Sequence, residues 1–199
     1  MVLLTAVVVG VLTGWACARM EGKSWRPPLF QAAWLVILGF LPQYLAFYLP
    51  FTRQLFPDWL ASVSLVLSQT FLLAFTFVNR RLPGMLLLLL GLGCNLAVIV
   101  ANGGFMPLPV ETAERLVSPT VLSQLEIGAR LGSSSKDILL PEAKIALSWL
   151  ADRFASPAFL SYRFAFSLGD VLVAAGAFWV LAQRQPAVPK SILGELNVY

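Results

Sequence analysis

Histidine is absent from all 199 residues, and cysteine occurs only twice, at Cys17 and Cys94. The first absence removes serine–histidine and cysteine–histidine catalysis together with histidine-ligated zinc and haem. Two cysteines are too few for a thiolate metal cluster, and both lie inside apolar runs, where a cysteine packs as a small hydrophobe. Charge is scarce as well: 12% of the chain is Asp, Glu, Lys or Arg, against 58% apolar residues and a mean hydropathy of +0.79. That composition excludes a water-soluble globule, whose surface would carry large apolar patches, so lipid must be the solvent for much of the chain. The net charge of +4 does not point to nucleic acid, because the basic residues are spread thinly over loops between apolar segments. They read as topology signals, and neither a nucleic-acid partner nor a metal or other cofactor is expected.

Five apolar runs organise the sequence. The first, near residues 2–18, has no Lys or Arg ahead of it, which argues against a secretory signal, and Gly14-Trp15-Ala16 before Cys17 is a poor lipoprotein cleavage box. Its Gly10 and Gly14 suit close helix packing. The second, near 30–50, contains Pro42 and is expected to kink there. The third, near 59–78, ends at Asn79-Arg80-Arg81, and the fourth, near 84–101, follows so closely that the two are antiparallel neighbours. The fifth covers 162–182, and residues 183–199 form a cytoplasmic tail. The predicted fold class is all-α: a polytopic membrane bundle of five transmembrane helices, with an extracytoplasmic segment of short helices over 102–161.

Within that segment Pro109, Pro119 and Pro141 each stand where a first helical residue would be, with Ser118 as a cap, and predict three short helices. The last would be amphipathic, with Leu147, Leu150, Ala151 and Phe154 on one face and Glu142, Ser148, Asp152 and Arg153 on the other. Asp152 then reads as a solvated surface charge. Lys and Arg fall in alternate short loops: Arg19, Lys23 and Arg26, then Arg53 alone, then Arg80 and Arg81, then Arg184 and Lys190. Retention of such residues in the cytoplasm gives an outside N-terminus and an inside C-terminus. An odd number of spans without an internal repeat does not support an inverted-repeat transporter.

An ionisable group inside a span costs about 2.5–3.5 kcal/mol on insertion scales and needs a partner. Asp170 is the one that qualifies, roughly two turns into the fifth span, sharing a stripe with Ser167, Ala174 and Ala177. The fourth span offers Gly91, Asn95, Val98 and Asn102 on one face, and the third offers Ser62, Gln69 and Thr76. Asn102 opens Asn102-Gly103-Gly104-Phe105-Met106-Pro107, a shaped turn at the outer mouth. The candidate binding or structural cluster is therefore Gln69, Asn95, Asn102, Gly103, Gly104, Ser167 and Asp170, with Asp170 expected to bond Asn102 or the glycine turn. Asp152 and Asp170 together are the candidate catalytic pair of an aspartyl hydrolase, two carboxylates able to share a proton and activate water.

Three stretches, Asn102 to Pro107, Ser135 to Leu140, and Leu150 to Phe154 leading into Phe166-Ser167-Leu168-Gly169-Asp170, resemble a bacterial multi-pass membrane family of unknown function, family 5317. That resemblance implies a bacterial cytoplasmic membrane and no particular activity. A fainter one, to lipoprotein signal peptidases, rests on the two aspartates. In that family one catalytic aspartate ends a span and another lies in an Asn-x-Ala-Asp motif. Here Ser167 and Gly169 replace the asparagine and alanine, and Asp152 falls outside the spans. Three function classes follow: a non-enzymatic membrane component binding lipid, a membrane-protein partner or a small ligand at its outer mouth; an intramembrane aspartyl hydrolase; and a small-solute or ion carrier. The first is favoured, because one buried carboxylate supplies neither a charged pathway nor a full catalytic set.

Overall fold

The computed structural model describes residues 2–157, 159–160 and 162–183; all of the expected cytoplasmic tail after residue 183, with Arg184 and Lys190, lies outside them. The chain is mostly helical. Helices α1 (Val2–Met20) and α4 (Asp58–Val78) are each long and apolar enough to cross a membrane. Beside them lie three shorter apolar helices, α2 (Trp34–Gln43, continued by a wide turn over Tyr44–Tyr48), α5 (Met85–Ala101) and α8 (Leu168–Ala182). A short α3 (Pro50–Arg53) links α2 to α4. The apolar helices stand side by side in the order α1, α8, α5, α4, α2, so the last helix is wedged between the first and the fourth run.

Glycine sets the closest of these contacts. Gly84 faces Gly176 and Gly91 faces Gly169, and a Cβ on Gly91 would stand 2.6 Å from the Gly169 carbonyl oxygen. One heptad separates the two pairs along each helix, so α5 and α8 meet backbone to backbone over that stretch of the seam. At Pro42 the α2 ladder breaks into the Tyr44–Tyr48 turn, and the freed Gln43 N–H donates to Ser68 Oγ of α4 at 3.2 Å. The neighbouring helix thus satisfies what the proline disrupts.

Between α5 and α8 the structure corrects the expectation of helices alone. Strand β1 (Met106–Pro109) pairs in parallel with β2 (Asp137–Leu140), and Arg130 bridges the far side of β2 at Ile138. Two of the expected helices form, as α6 (Val110–Leu116) and α7 (Pro119–Leu122, with Pro119 first and Ser118 at its cap). The amphipathic helix over 142–154 does not. Two single 3-10 turns, Glu142–Lys144 and Ser148–Leu150, replace it, and Phe154 belongs to β3 (Phe154–Ala155), which pairs with β4 (Ala165–Phe166). The reason is tertiary. The Asn102 side chain binds both the N–H and the carbonyl of Ala146, the Asp152 N–H donates to the Pro107 carbonyl, and Leu147 takes a φ of +57°. These backbone groups find non-helical partners, which outweigh the 3.6-residue pattern.

This segment is a folded cap. Leu108, Ala113 and Leu139 form its own small core, while Phe105, Met106 and Leu150 share a core with Ala46, Phe47, Ala61, Leu65, Val98 and Ile99 at the ends of α2, α4 and α5. Arg130 fastens the two together. Its guanidinium lies between the rings of Phe47 and Phe105, 5.2 and 5.3 Å from their centroids, and its Nη1 donates to Asp58 Oδ1 at 2.9 Å. With a side chain only 7% exposed, Arg130 is a buried rivet between cap and bundle.

Candidate site at the capped end of the bundle

Asp170 is the third residue of α8, not a residue two turns in, because the chain before Ser167 is strand. Ser167 and Asp170 form a reciprocal capping box: the Asp170 N–H donates to Ser167 Oγ and the Ser167 N–H donates to Asp170 Oδ2, both at 3.1 Å. Asn95 of α5 closes the arrangement. Its Nδ2 donates to Asp170 Oδ1 and its Oδ1 accepts from Ser167 Oγ, each at 3.0 Å. Both carboxylate oxygens of Asp170 are therefore committed, and the helix terminus favours the negative charge. The fit is tight, since a Cβ on Gly169 would collide with Asn95 Oδ1.

The other expected members are placed elsewhere. Asn102 bonds Val98 and Ala146 backbone atoms, not Asp170. Gly103 and Gly104 take φ values of +78° and +88°, and Gly104 also lies against Ser62 of α4, so its position admits no side chain. Gln69 is not drawn into the Asn95 triangle; its Oε1 is buried without a hydrogen-bond partner among the described residues.

Asp152 overturns its reading as a surface charge: it is 1% exposed. Lys136 Nζ reaches its Oδ2 at 3.2 Å and Asp137 Oδ1 at 3.3 Å, while Asp152 Oδ1 is buried and unpartnered among the described residues. Burial pushes the Asp152 carboxyl up to about 7, with Asp137 and Asp170 adding to the rise and Lys136 opposing it. Burial also works against the Lys136 charge, but Asp137, Asp152 and Asp170 outweigh it and hold that ammonium well above the usual lysine range. The Lys136 side chain is still 43% exposed, so water screens part of this attraction. Asp152 and Asp170 thus lie in one electrostatic neighbourhood around Lys136. Lys136, Asp137 and Arg130 were not singled out from the sequence. The signal for the first two was a charged pair set directly against the apolar run Ile138-Leu139-Leu140.

Among the described residues no group of His, Cys, Asp or Glu is arranged to hold a metal ion. The model of the family of unknown function DUF5317 matches residues 29–182. The chain belongs to that family. Its match runs from the start of the second apolar run through α8, and so includes the cap, Arg130, the Lys136–Asp152 pair and the Asn95–Ser167–Asp170 triangle. Comparison with curated proteins and with solved structures finds no match.

Proposed function

We propose that this DUF5317 member is a five-span integral protein of the bacterial cytoplasmic membrane, acting as a non-enzymatic component that binds a lipid, a membrane-protein partner or a small ligand at its capped outer end. α1 and α4 span by length, while α2 with its wide turn, α5 and α8 span with the help of the flanking aromatic and interfacial residues or local bilayer thinning. Arg19, Lys23, Arg26, Arg80 and Arg81 gather at the end of the row opposite the cap, which supports an outside N-terminus and an inside C-terminus. The observation that carries the non-enzymatic reading is the commitment of both Asp170 oxygens to Asn95 and to the Ser167 cap. The α5–α8 seam below Asn95, closed at Gly91–Gly169 and Gly84–Gly176, speaks against a carrier pathway there.

The hydrolase reading keeps one observation in its favour, the shared neighbourhood of Asp152 and Asp170 around Lys136. Two measurements decide. Single cysteines at Ser134 and Lys23, in a background without Cys17 and Cys94, should react with an impermeant reagent from outside and inside respectively; the reverse pattern overturns the topology. Purified protein in proteoliposomes should leave a fluorogenic lipopeptide intact. Cleavage abolished by both Asp152→Asn and Asp170→Asn, in variants that still accumulate, would replace the binding component with an enzyme.

A further inference from the structure

The hairpin β3–β4 turns its aromatic residues away from the cap. Side chains alternate across a strand, and Ala165 packs on the core around Leu108 and Leu139, which leaves Phe166 and its cross-strand partner Phe154 on the opposite face. The rings confirm the alternation: Phe154 stacks on Phe166 at 5.6 Å, Phe166 adjoins Phe164 at 6.1 Å, and Phe164 stacks on Tyr162 at 6.4 Å. At the tip Phe159 is 84% exposed, and Leu160 and Tyr162 are exposed beside it. A water-facing hairpin does not gather so many open rings.

Its position says what covers it. Phe166 precedes Leu168, the first residue of α8, by two residues, so the stripe stands within about 7 Å of chain from the outer end of that helix. From there an exposed row, Leu168, Val171, Ala175 and Phe178, continues down the outward face of α8. Exposed Arg153 and Arg163 alternate with the rings and fall on the opposite, cap-side face, with Arg115 on the adjoining α6. Arg163 Nη1 donates to the Arg115 carbonyl at 3.0 Å, and Thr112 Oγ1 of the same α6 donates to the Arg153 carbonyl at 3.2 Å. Arg153 makes one long contact, 3.5 Å, to the exposed Glu142.

We infer that the β3–β4 hairpin is a membrane-contact site for a phospholipid surface, with its aromatic stripe at the headgroup–acyl boundary of the outer leaflet. Tyr162, with an apolar ring and a hydroxyl that seeks water, favours that depth, and the phenylalanines beside it supply the apolar area. The inference rests on the five-span reading, and it fixes the height of the cap above the bilayer.

Spin labels on single cysteines at Phe159, Val171 and Ser134, in a background lacking Cys17 and Cys94, test it in nanodiscs of phosphatidylcholine with phosphatidylglycerol. Collision with oxygen should exceed collision with a water-soluble nickel chelate at 171, the reverse should hold at 134, and 159 should fall between them. Nickel access at 159 equal to that at 134, with 171 still in lipid, overturns the membrane contact and leaves the five-span reading standing. A water-exposed label at 171 overturns the five-span reading itself. Exclusion of both reagents at 159 means a second copy or another protein covers the hairpin, and also overturns the contact.

Discussion

Asn102 pairs with Ala146 as one strand residue pairs with another: its Nδ2 donates to the Ala146 carbonyl at 2.9 Å and its Oδ1 accepts the Ala146 N–H at 3.0 Å. Asn79 does the same at the opposite end of the row, where its Nδ2 and Oδ1 hold the carbonyl and N–H of Gln31. Each asparagine ends a helix and uses its amide as a surrogate peptide, so a connecting segment is tied to the bundle at each end. Asn102→Ala should expose the Ala146 N–H and carbonyl. Because Ala146 is exposed, water replaces part of the loss, and the cost should lie near about 1 kcal/mol, at the low end for a lost hydrogen-bond partner. Hydrogen exchange of the 145–150 amides in nanodiscs should rise in the variant, while that of α5 stays unchanged.

The glycine seam makes a sharper claim because it carries its own control. Gly91→Ala would drive a methyl group into the Gly169 carbonyl and the Val173 backbone, whereas Gly93, on the opposite face of the helix, has nothing within 4 Å of an added Cβ. Gly91→Ala should therefore destabilise by about 1–3 kcal/mol through overpacking. Gly93→Ala should be neutral or stabilise by up to about 1 kcal/mol through helix propensity. Thermal unfolding in detergent distinguishes them, and equal behaviour would mean that α5 and α8 are not in contact.

Much of this end of the molecule was legible from residue spacing. Gly91 and Asn95 do meet α8, at Gly169 and at Ser167 and Asp170, and Val98, Ala174 and Ala177 are buried as their spacing requires, because helix periodicity is a local property that the apolar surroundings reinforce. The partner of Asp170 was not legible. Where α8 begins decides which turn of α5 it meets, and that start is set by the Ser167 cap and by strand pairing across a hairpin. The cap was misread for the same reason: β1 carries two prolines, β2 is four residues long, and the parallel pairing of segments about thirty residues apart leaves no periodic trace. Asp152 looked solvated because its chain neighbours are polar on a helical wheel, but no helix forms there and the side chain turns inward.

Asp170→Asn and Asp170→Leu should separate a structural role from a chemical one. An asparagine can keep one oxygen on the Ser167 N–H and offer its amide to Asn95, whose own amide can reverse to accept it. That variant should lose about 1 kcal/mol at most, part of it the charge at the helix terminus. Leucine leaves Asn95 Nδ2 and the Ser167 N–H without acceptors at a cost of about 1–3 kcal/mol, and should reduce accumulation in the membrane. Normal folding of both variants, measured by thermal unfolding, would contradict the capping role.

Arg130→Lys keeps the charge but loses the planar contact with Phe47 and Phe105, so the cap should loosen by about 1–2 kcal/mol even though Asp58 can still be reached. Limited proteolysis between Gly128 and Ser135 reads this directly. Arg130→Lys should be cut faster than the parent, and Asp58→Asn, which leaves the stacking in place and removes an exposed carboxylate, should be cut at nearly the parent rate.

The buried Asp152 makes the cap sensitive to pH, and the sign follows from the direction of its shift. In the unfolded chain an aspartate titrates near about 3.9. In the folded cap burial lifts Asp152 to about 7, so the folded state holds a proton that the unfolded state has already released. The resulting stabilisation is complete below the unfolded value and disappears as pH rises through about 7. Lys136 is shifted in the same direction, but it titrates at alkaline pH and adds no slope to this window. Asp137 and Asp170, the other acidic groups that face Asp152, add to its rise. The cap should therefore be firmer at pH 5.5 than at pH 8, seen as slower hydrogen exchange of residues 104–155 after correction for the intrinsic rate. Asp152→Asn presents a neutral amide at every pH and should flatten the profile, keeping the cap's acid-side protection at pH 8. A parent protein equally protected at both pH values, or an Asp152→Asn variant with the parent's slope, would show that Asp152 stays ionised beside Lys136 and that the cap does not respond to its proton.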